Sequence, residues 1–526
     1  MKRYHLGVLA ATVVGGVLRV LSTGNGTLWR DEAMLVFVTR IPTIGGMLDF
    51  LHHHEWHTPL FYLLVRGWAA IAGPSEAALA AVPLAAAVAL IPVVYLVGAR
   101  AFSPAAGAIA AWIVAIHPVL VFHSPQLRPY SVFALFALGS CCFLWRLADG
   151  AGRRAWAAYV ILTLGMLYTH NWGWLILGCQ GLLGLAVTAI PYTRPARRDV
   201  LRIAGAWIAI GIGYLPWLPA FLAQLEHAGH SPAARAGLLQ GLNQVTDYAI
   251  GSPQRRLALV LALGLIGAIL LRPRAARDAS GGPSGMRAFA LIAPVFLLVG
   301  VLGAAMASRT NVLVPQAISS LVPFAALLLG HGLVVLARDW HPALAATGAG
   351  VALGLLGSSA TRHATWVKSN AADLAAAVTA RARPDDVVVI APEWIASSFN
   401  YYFTAPNRQI VFPSLRRIEM PEWNSPFGRI SDPAALAAAR DTISAIHARG
   451  GRIWLIEESR WAERDVPDVE LLSDPAYAKF GGADLIRAAQ VRRHLETLYG
   501  PPDTLAVPPD PRRGREILRA RLFSGR

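Results

Sequence analysis

Long apolar runs, separated by short polar or arginine-rich segments, dominate the chain. Runs of about 20 apolar residues match the hydrocarbon core of a bilayer. The pattern predicts about eleven spans, near 5–22, 77–98, 104–119, 128–147, 156–169, 171–190, 203–222, 257–271, 288–307, 312–337 and 342–358. A further run, 59–73, is short and carries Arg66. The arginines between the runs set the sidedness. Three lie in 146–154, four in 194–202 and four in 272–287, whereas 117–127 and the turn at His170 have none. Cytoplasmic loops carry the Lys/Arg excess. The assignment is consistent if the N-terminus is cytoplasmic and 59–73 lies in the interface instead of crossing. Arg235, Arg255 and Arg256 then fall in a long outward loop, where the rule is weak. The basic start, Met1-Lys2-Arg3, resembles a signal peptide, but no small-residue cleavage site precedes Trp29, so it predicts an uncleaved first helix.

With this sidedness, 23–76, 223–256 and everything after 359 face outward. Composition shifts after Thr361. Asp385-Asp386 followed by four β-branched residues predicts a strand, 434–448 a helix and 452–456 a second strand, which together suggest a small α/β domain. The Pro- and Arg-rich stretch 500–514 is expected to be loosely ordered, and 272–285 to be a flexible cytoplasmic linker. The expected fold class is therefore an α-helical polytopic membrane protein with a C-terminal α/β extracytoplasmic domain. The expected boundary is a membrane domain over 1–358, including the first outward loop, and a soluble domain over 359–526. There is no internal repeat and no low-complexity tract.

Composition agrees. Of 526 residues, 55% are hydrophobic and only 15% charged, where a soluble protein has about 25% charged. The net charge of +16 is spread over short arginine clusters between apolar runs, so it reads as membrane orientation and not as a nucleic-acid surface. Cys141, Cys142 and Cys179 all fall inside expected spans without metal-ligand spacing, and no disulfide is expected.

The candidate chemistry lies in the outward loops. Trp29-Arg30-Asp31-Glu32 opens the first. Asp31 and Glu32 are either first-turn acids favoured by a helix dipole or a general base beside a second acid that positions it. The same loop continues to His52-His53-His54-Glu55-Trp56-His57-Thr58-Pro59-Leu60. Its histidine spacing fits no standard zinc motif, so no metal is expected. The second outward loop holds Ser124-Pro125-Gln126-Leu127-Arg128-Pro129-Tyr130. Arg128 either snorkels toward headgroups or forms an anion site in a low-dielectric mouth, with Gln126 and Tyr130 as further donors. The third turn, Tyr168-Thr169-His170-Asn171, is either a polar turn or a place for His170 and Asn171 to meet a sugar or a phosphate.

Taken in order, these segments resemble the GT-C superfamily, specifically bacterial relatives of the protein O-mannosyltransferases (glycosyltransferase family 39) and of the lipid A sugar transferases. Trp29-Arg30-Asp31-Glu32 is similar to the family's acidic pair in its first loop. His57-Thr58-Pro59-Leu60-Phe61-Tyr62 is similar to His-Pro-Pro-Leu-Tyr-Tyr, and 124–130 to Ser-Gln-Glu-Ala-Arg-x-Tyr. Tyr168-Thr169-His170 follows, and 370–403, with Pro384-Asp385-Asp386 and Tyr401-Tyr402-Phe403, resembles the outward domain of these bacterial members. Thr58 stands where the family has its first Pro, and Leu127 and Pro129 flank the arginine differently. The resemblance covers 1–220 closely and 300–460 loosely.

The resemblance implies a multi-pass protein of the bacterial inner membrane that takes a sugar from a polyprenyl-phosphate carrier with inversion. The acceptor hydroxyl would belong to a protein, a lipid or a glycan. It further implies Asp31 as general base with Glu32 beside it, Arg128 on the donor phosphate, and Tyr130, Gln126, His57, His170 and Asn171 around the substrate. No cofactor is expected, and no phosphate-cradling glycine-rich loop is present. A transporter or flippase of lipid-linked sugars is the alternative. It predicts paired repeats with broken helices and charges at mid-span, whereas Asp31, Arg128 and His170 sit at span ends. A non-catalytic assembly protein would leave the polar loops without a purpose.

Overall fold

The computed structural model describes residues 2–24, 26–189, 196–229, 319–364, 367–421, 432–459, 482–506 and 514–525. The spans expected at 257–271 and 288–307, the linker 272–285 and most of 223–256 lie outside these residues. By internal contacts the chain divides into two compact units. One comprises Met1–Thr23, His57–Leu222 and Arg235–Ala364, the other Gly24–Trp56, Ala223–Ala234 and Thr365–Arg526. By contacts, 24–56 belongs to the second unit.

The first unit is helical. Among the described residues, five helical stretches are long and apolar enough to cross a membrane: Lys2–Gly24, Glu76–Ala101, Tyr130–Ala148, Arg197–Glu226 and Ser319–Trp340. Shorter apolar helices include Leu60–Ala72, the run expected in the interface, and Pro104–Ile116. The helices Glu76–Ala101 and Pro104–Ile116 touch backbone to backbone. A Cβ added at Gly98 would lie 2.7 Å from the Gly107 Cα. Such close approach through small residues is how helices pack where no hydrophobic force separates them from lipid.

The span expected over 104–119 is interrupted. The helix stops at Ile116, and a short one, Pro118–His123, follows. Pro118 has no N–H, so the Val114 carbonyl loses its partner four residues on. Arg19, fully buried in the first helix, replaces it. Its Nη2 donates to the Val114 carbonyl at 2.8 Å and its Nη1 to the Ala115 carbonyl at 2.8 Å. A cation at a helix C-terminus also suits the helix dipole. Sequence reasoning passed over Arg19, although a lone charge within an apolar span is a signal in its own right. Elsewhere in this unit Gln180 bridges Tyr159 (3.0 Å) and Ser140 (2.9 Å), and Ser140 meets Thr163 at 2.8 Å. These bonds tie helices Tyr130–Ala148, Arg153–Thr169 and Gly173–Ala189 together.

The second unit is α/β. A five-stranded sheet has the order β3-β2-β4-β7-β5, with β2 Val387–Ile390, β3 Arg408–Val411, β4 Ile453–Glu458, β5 Asp503–Ala506 and β7 Leu518–Phe523. Strands β3, β2 and β4 run parallel, and β7 pairs antiparallel with β4 and β5. Strand β2 is apolar throughout because both faces are covered. Alternate side chains go to opposite layers. Val388 and Ile390 pack under helices Ala371–Thr379 and Ala396–Tyr402, while Val387 and Val389 face Pro433–Ala448 and Gly482–Tyr499. The strands expected at 385–390 and 452–456 and the helix at 434–448 are therefore present. Asp386 anchors the start of β2. Its carboxylate accepts Arg452 Nε at 2.9 Å, Arg452 Nη2 at 2.8 Å and the Trp454 indole N–H at 2.9 Å.

The expectation of a loose 500–514 is corrected at both ends. Asp503–Ala506 is an edge strand on β7, and β6, Gly514–Glu516, pairs in parallel with β1, Val367–Ser369. The prolines lie outside these strands, so no ladder N–H is lost, and Leu505 packs on the core.

Candidate functional site

Each unit, taken by itself, holds one cluster of the expected residues. In the second unit the chain enters through Gly26, whose φ is +89° and whose missing side chain matters. A Cβ there would lie 2.6 Å from Val367 Cγ1 and 2.7 Å from the Ser369 carbonyl. The Thr27 N–H bonds that carbonyl at 3.2 Å, and the Leu28 N–H bonds the Tyr402 hydroxyl at 2.9 Å. The helix Arg30–Thr39 starts immediately after, with Asp31 and Glu32 in its first turn.

The two acids have different surroundings. Glu32 is fully buried. It accepts the Trp29 N–H at 3.3 Å and pairs with the buried Lys368 ammonium at 3.2 Å. Asp31 keeps a quarter of its side chain exposed and lies 3.7 Å from Arg30 Nε. The Arg30 backbone N–H donates to the Glu516 carboxyl at 3.2 Å, and its guanidinium lies 3.6 Å from Glu458 and 5.4 Å from the Trp394 ring. Trp29 is buried as well. The contacts of Arg30 are thus with the C-terminal part of the chain.

Burial pushes the Glu516 carboxyl up to about 8, and Glu458 pushes the same way. Arg30 and the hydroxyl of Ser398 pull it down, but less. At neutral pH Glu516 is therefore protonated, and Glu458 is the countercharge of Arg30. A raised folded-state value means that this group's contribution to stability is complete below pH 4.5 and is lost as pH rises through about 8. Thermal unfolding of the full chain should therefore shift to lower temperature between about pH 5 and pH 8.5, with roughly 1.4 kcal/mol at stake per unit of displacement. Glu516→Gln should flatten that slope. An unchanged slope in the variant would refute the assignment.

The second cluster belongs to the first unit. Helix Pro118–His123 ends in a tight loop in which Gln126, fully buried, accepts His123 Nδ1 at 3.1 Å and sends its amide N–H to the Phe122 carbonyl at 3.5 Å. Gln126 thus fixes the loop that delivers Arg128. Arg128 is itself buried, two residues before the helix Tyr130–Ala148, so the expected span at 128–147 starts slightly later. Its Nη2 donates to His57 Nε2 at 2.7 Å, and its guanidinium lies 5.9 Å from the Tyr130 ring centroid. Because arginine only donates, a neutral His57 carries its proton on Nδ1.

His170 ends helix Arg153–Thr169, with its ring 6.3 Å from that of His57, 5.8 Å from Tyr130 and 5.2 Å from Phe133. Burial holds its value well below the usual histidine range, reinforced by His57 and Arg128. The Trp172 N–H donates to His170 Nδ1 at 3.1 Å, which puts the proton of the neutral ring on Nε2. Asn171 is half-buried in the same turn. A buried guanidinium beside the neutral His170 and a phenol can pair with two oxygens of an anion at once, through its planar fork.

The histidines of the first loop have different surroundings. The rings of His52 and His53 stack at 4.3 Å, His53 Nδ1 sits 3.2 Å from Asp49, and Glu55 accepts the Trp56 N–H at 2.9 Å. His57 instead goes with Arg128. Among the described residues, no group of three or more His, Cys, Asp or Glu is placed to hold a metal.

Residues 56–218 match the family model described as dolichyl-phosphate-mannose-protein mannosyltransferase. A structure of ArnT from Cupriavidus metallidurans bound to undecaprenyl phosphate superposes over 98% of this chain and 97% of its own, with a TM-score of 0.58 and 13% identity. This chain has the GT-C fold. Another structure with that fold, the archaeal oligosaccharyltransferase AglB from Archaeoglobus fulgidus in complex with an inhibitory peptide and a dolichol-phosphate, covers 92% of this chain and 72% of its own, with a TM-score of 0.55 and 13% identity. No curated protein sequence matches the chain. The family-model match spans His57, Gln126, Arg128, Tyr130, His170 and Asn171, and leaves Asp31 and Glu32 outside it. Within the GT-C fold, sequence reasoning missed Lys368, Glu458 and Glu516, which meet the first loop from hundreds of residues away. No local pattern marks them.

Proposed function

We propose that this GT-C protein is an inverting glycosyltransferase of the bacterial plasma membrane, moving a sugar from a polyprenyl-phosphate donor to an acceptor hydroxyl on the extracytoplasmic side. The observation that carries this reading is the buried Arg128, bonded to His57 at 2.7 Å beside the neutral His170. The planar fork of an arginine matches two oxygens of a phosphate at once, and a lipid-linked phosphate presents its charge at the membrane surface. The bound undecaprenyl phosphate and dolichol-phosphate of ArnT and AglB support the same donor class.

In this reading Arg128 neutralises the charge that grows on the departing phosphate. The Nε2–H of His170 adds a donor that needs no charge, and Tyr130 lines the site. Asp31, the more exposed acid, accepts the proton of the acceptor hydroxyl. A carboxylate is a weak base for an alcohol, so the proton moves late, as the anomeric carbon takes on oxocarbenium character. Glu32, buried against Lys368, holds the turn.

The test is to incubate the purified protein with a panel of polyprenyl-phosphate sugars and candidate acceptors, with and without a chelator. One donor should be converted to free polyprenyl phosphate in step with acceptor glycosylation, and chelation should leave the rate unchanged. Intact lipid-linked sugar delivered to the opposite leaflet would instead establish a flippase. Loss of turnover on chelation, restored by a divalent ion, would assign a metal to the first loop, with Glu55 as its carboxylate.

A further inference from the structure

The first turn of helix Arg30–Thr39 is held from both sides of Asp31 by residues that come from the far end of the sequence. Glu32, the residue after it, is fully buried and paired with Lys368, whose ammonium reaches one carboxylate oxygen at 3.2 Å and the other at 3.3 Å. Arg30, the residue before it, gives its backbone N–H to Glu516 at 3.2 Å and its guanidinium to Glu458 at 3.6 Å. That backbone N–H is one of the orphan donors of a helix start, so Glu516 serves as a cap delivered from 486 residues away. Strand β1 brings Lys368 and strand β6 brings Glu516, and the two strands pair with each other, Ser369 opposite Glu516. The Ser369 carbonyl holds Thr27 as well. Successive helix positions are rotated by about 100°. Fixing Arg30 and Glu32 therefore fixes the direction of the side chain between them.

We propose that Lys368 and Glu516 are positioning residues for Asp31, the β1–β6 pair setting the first turn of the Arg30–Thr39 helix so that the carboxylate meets the acceptor hydroxyl. The inference rests on the assignment of Asp31 as the base. It gives the C-terminal strands a part in the reaction that no sequence motif indicates. Neither residue exchanges a proton with substrate. Each acts through the neighbour of Asp31 that it holds.

The experiment uses the full chain and two readouts. Lys368→Met and Glu516→Ala should each lower turnover by about 10-fold, as misplacement of a reacting group does, with the KM for the donor unchanged. Lys368→Arg and Glu516→Gln should recover most of that loss, since one keeps the cation and the other the protonated-carboxyl shape. Hydrogen exchange at the amides of residues 30–33 should speed up in Lys368→Met and Glu516→Ala and return toward wild type in the conservative pair. Wild-type turnover in both disruptive variants, or unchanged exchange at these amides, would overturn the proposal. A loss of turnover that the conservative variants fail to recover would overturn it too, by marking a role in folding alone. Wild-type turnover in Asp31→Asn would remove the base assignment, and the exchange readout would still decide whether the latch exists.

Discussion

Replacing Arg128 by alanine should lower donor turnover by about 100-fold or more, in the range found when a donor to a developing oxyanion is removed, and should weaken donor binding as well. Both should fall because the phosphate is charged before and after the sugar leaves, so its cation acts in the ground state and in the transition state. The surroundings of Arg128 sharpen the expectation. His170 beside it is held neutral chiefly by burial, so in the wild type it offers the phosphate a neutral donor and not a second cation. Arg128→Lys should recover only part of the activity, because an ammonium is a point charge without the paired geometry of the guanidinium. Measured as donor affinity and turnover on the purified variants, full activity in Arg128→Ala would mean that the side chain only snorkels.

The fold was legible where periodicity is strong. Spans such as 77–98 stand out because a bilayer demands about 20 apolar residues in sequence, and helix Glu76–Ala101 occupies that place. Strands β2 and β4 were legible because a strand covered on both faces reads as an unbroken apolar run. Strand β5 was not. Its four residues, Asp503–Ala506, lie between prolines, and only a partner, β7, distant in neither composition nor period from many other segments, makes them a strand. The break at His117-Pro118 was written in the proline, but Arg19, which caps the helix end there, is 95 positions from the Val114 carbonyl it bonds.

The candidate site divides in the same way. Arg128, Tyr130 and His170 could be named because they interrupt apolar runs at span ends, where a polar group needs a reason. Gln126 was named for the same reason, and its amide holds the loop to His123 and Phe122. For Asp31 and Glu32 the sequence left two readings open, and the two acids differ in burial. Glu32 has the surroundings of a structural first-turn acid, whereas Asp31 retains access to solvent. Lys368 and Glu516 were invisible, since a contact across more than 300 positions leaves no spacing to read.

The most direct measurement compares wild type with Asp31→Asn in a donor-consumption assay with acceptor present. The substitution keeps the shape of the side chain and removes its basicity. The turn itself is held by Glu32, Lys368 and Glu516, none of which is altered, so the variant should fold and bind donor as wild type does. Loss of a general base costs about 100-fold or more, and that is the fall expected in turnover, with donor binding nearly intact. Glu32→Gln should cost less, because it weakens the hold on the turn without removing the base. The account predicts steady donor consumption by wild type and this fall in Asp31→Asn; consumption by Asp31→Asn at the wild-type rate, or none by wild type with any donor and acceptor pair, would contradict it.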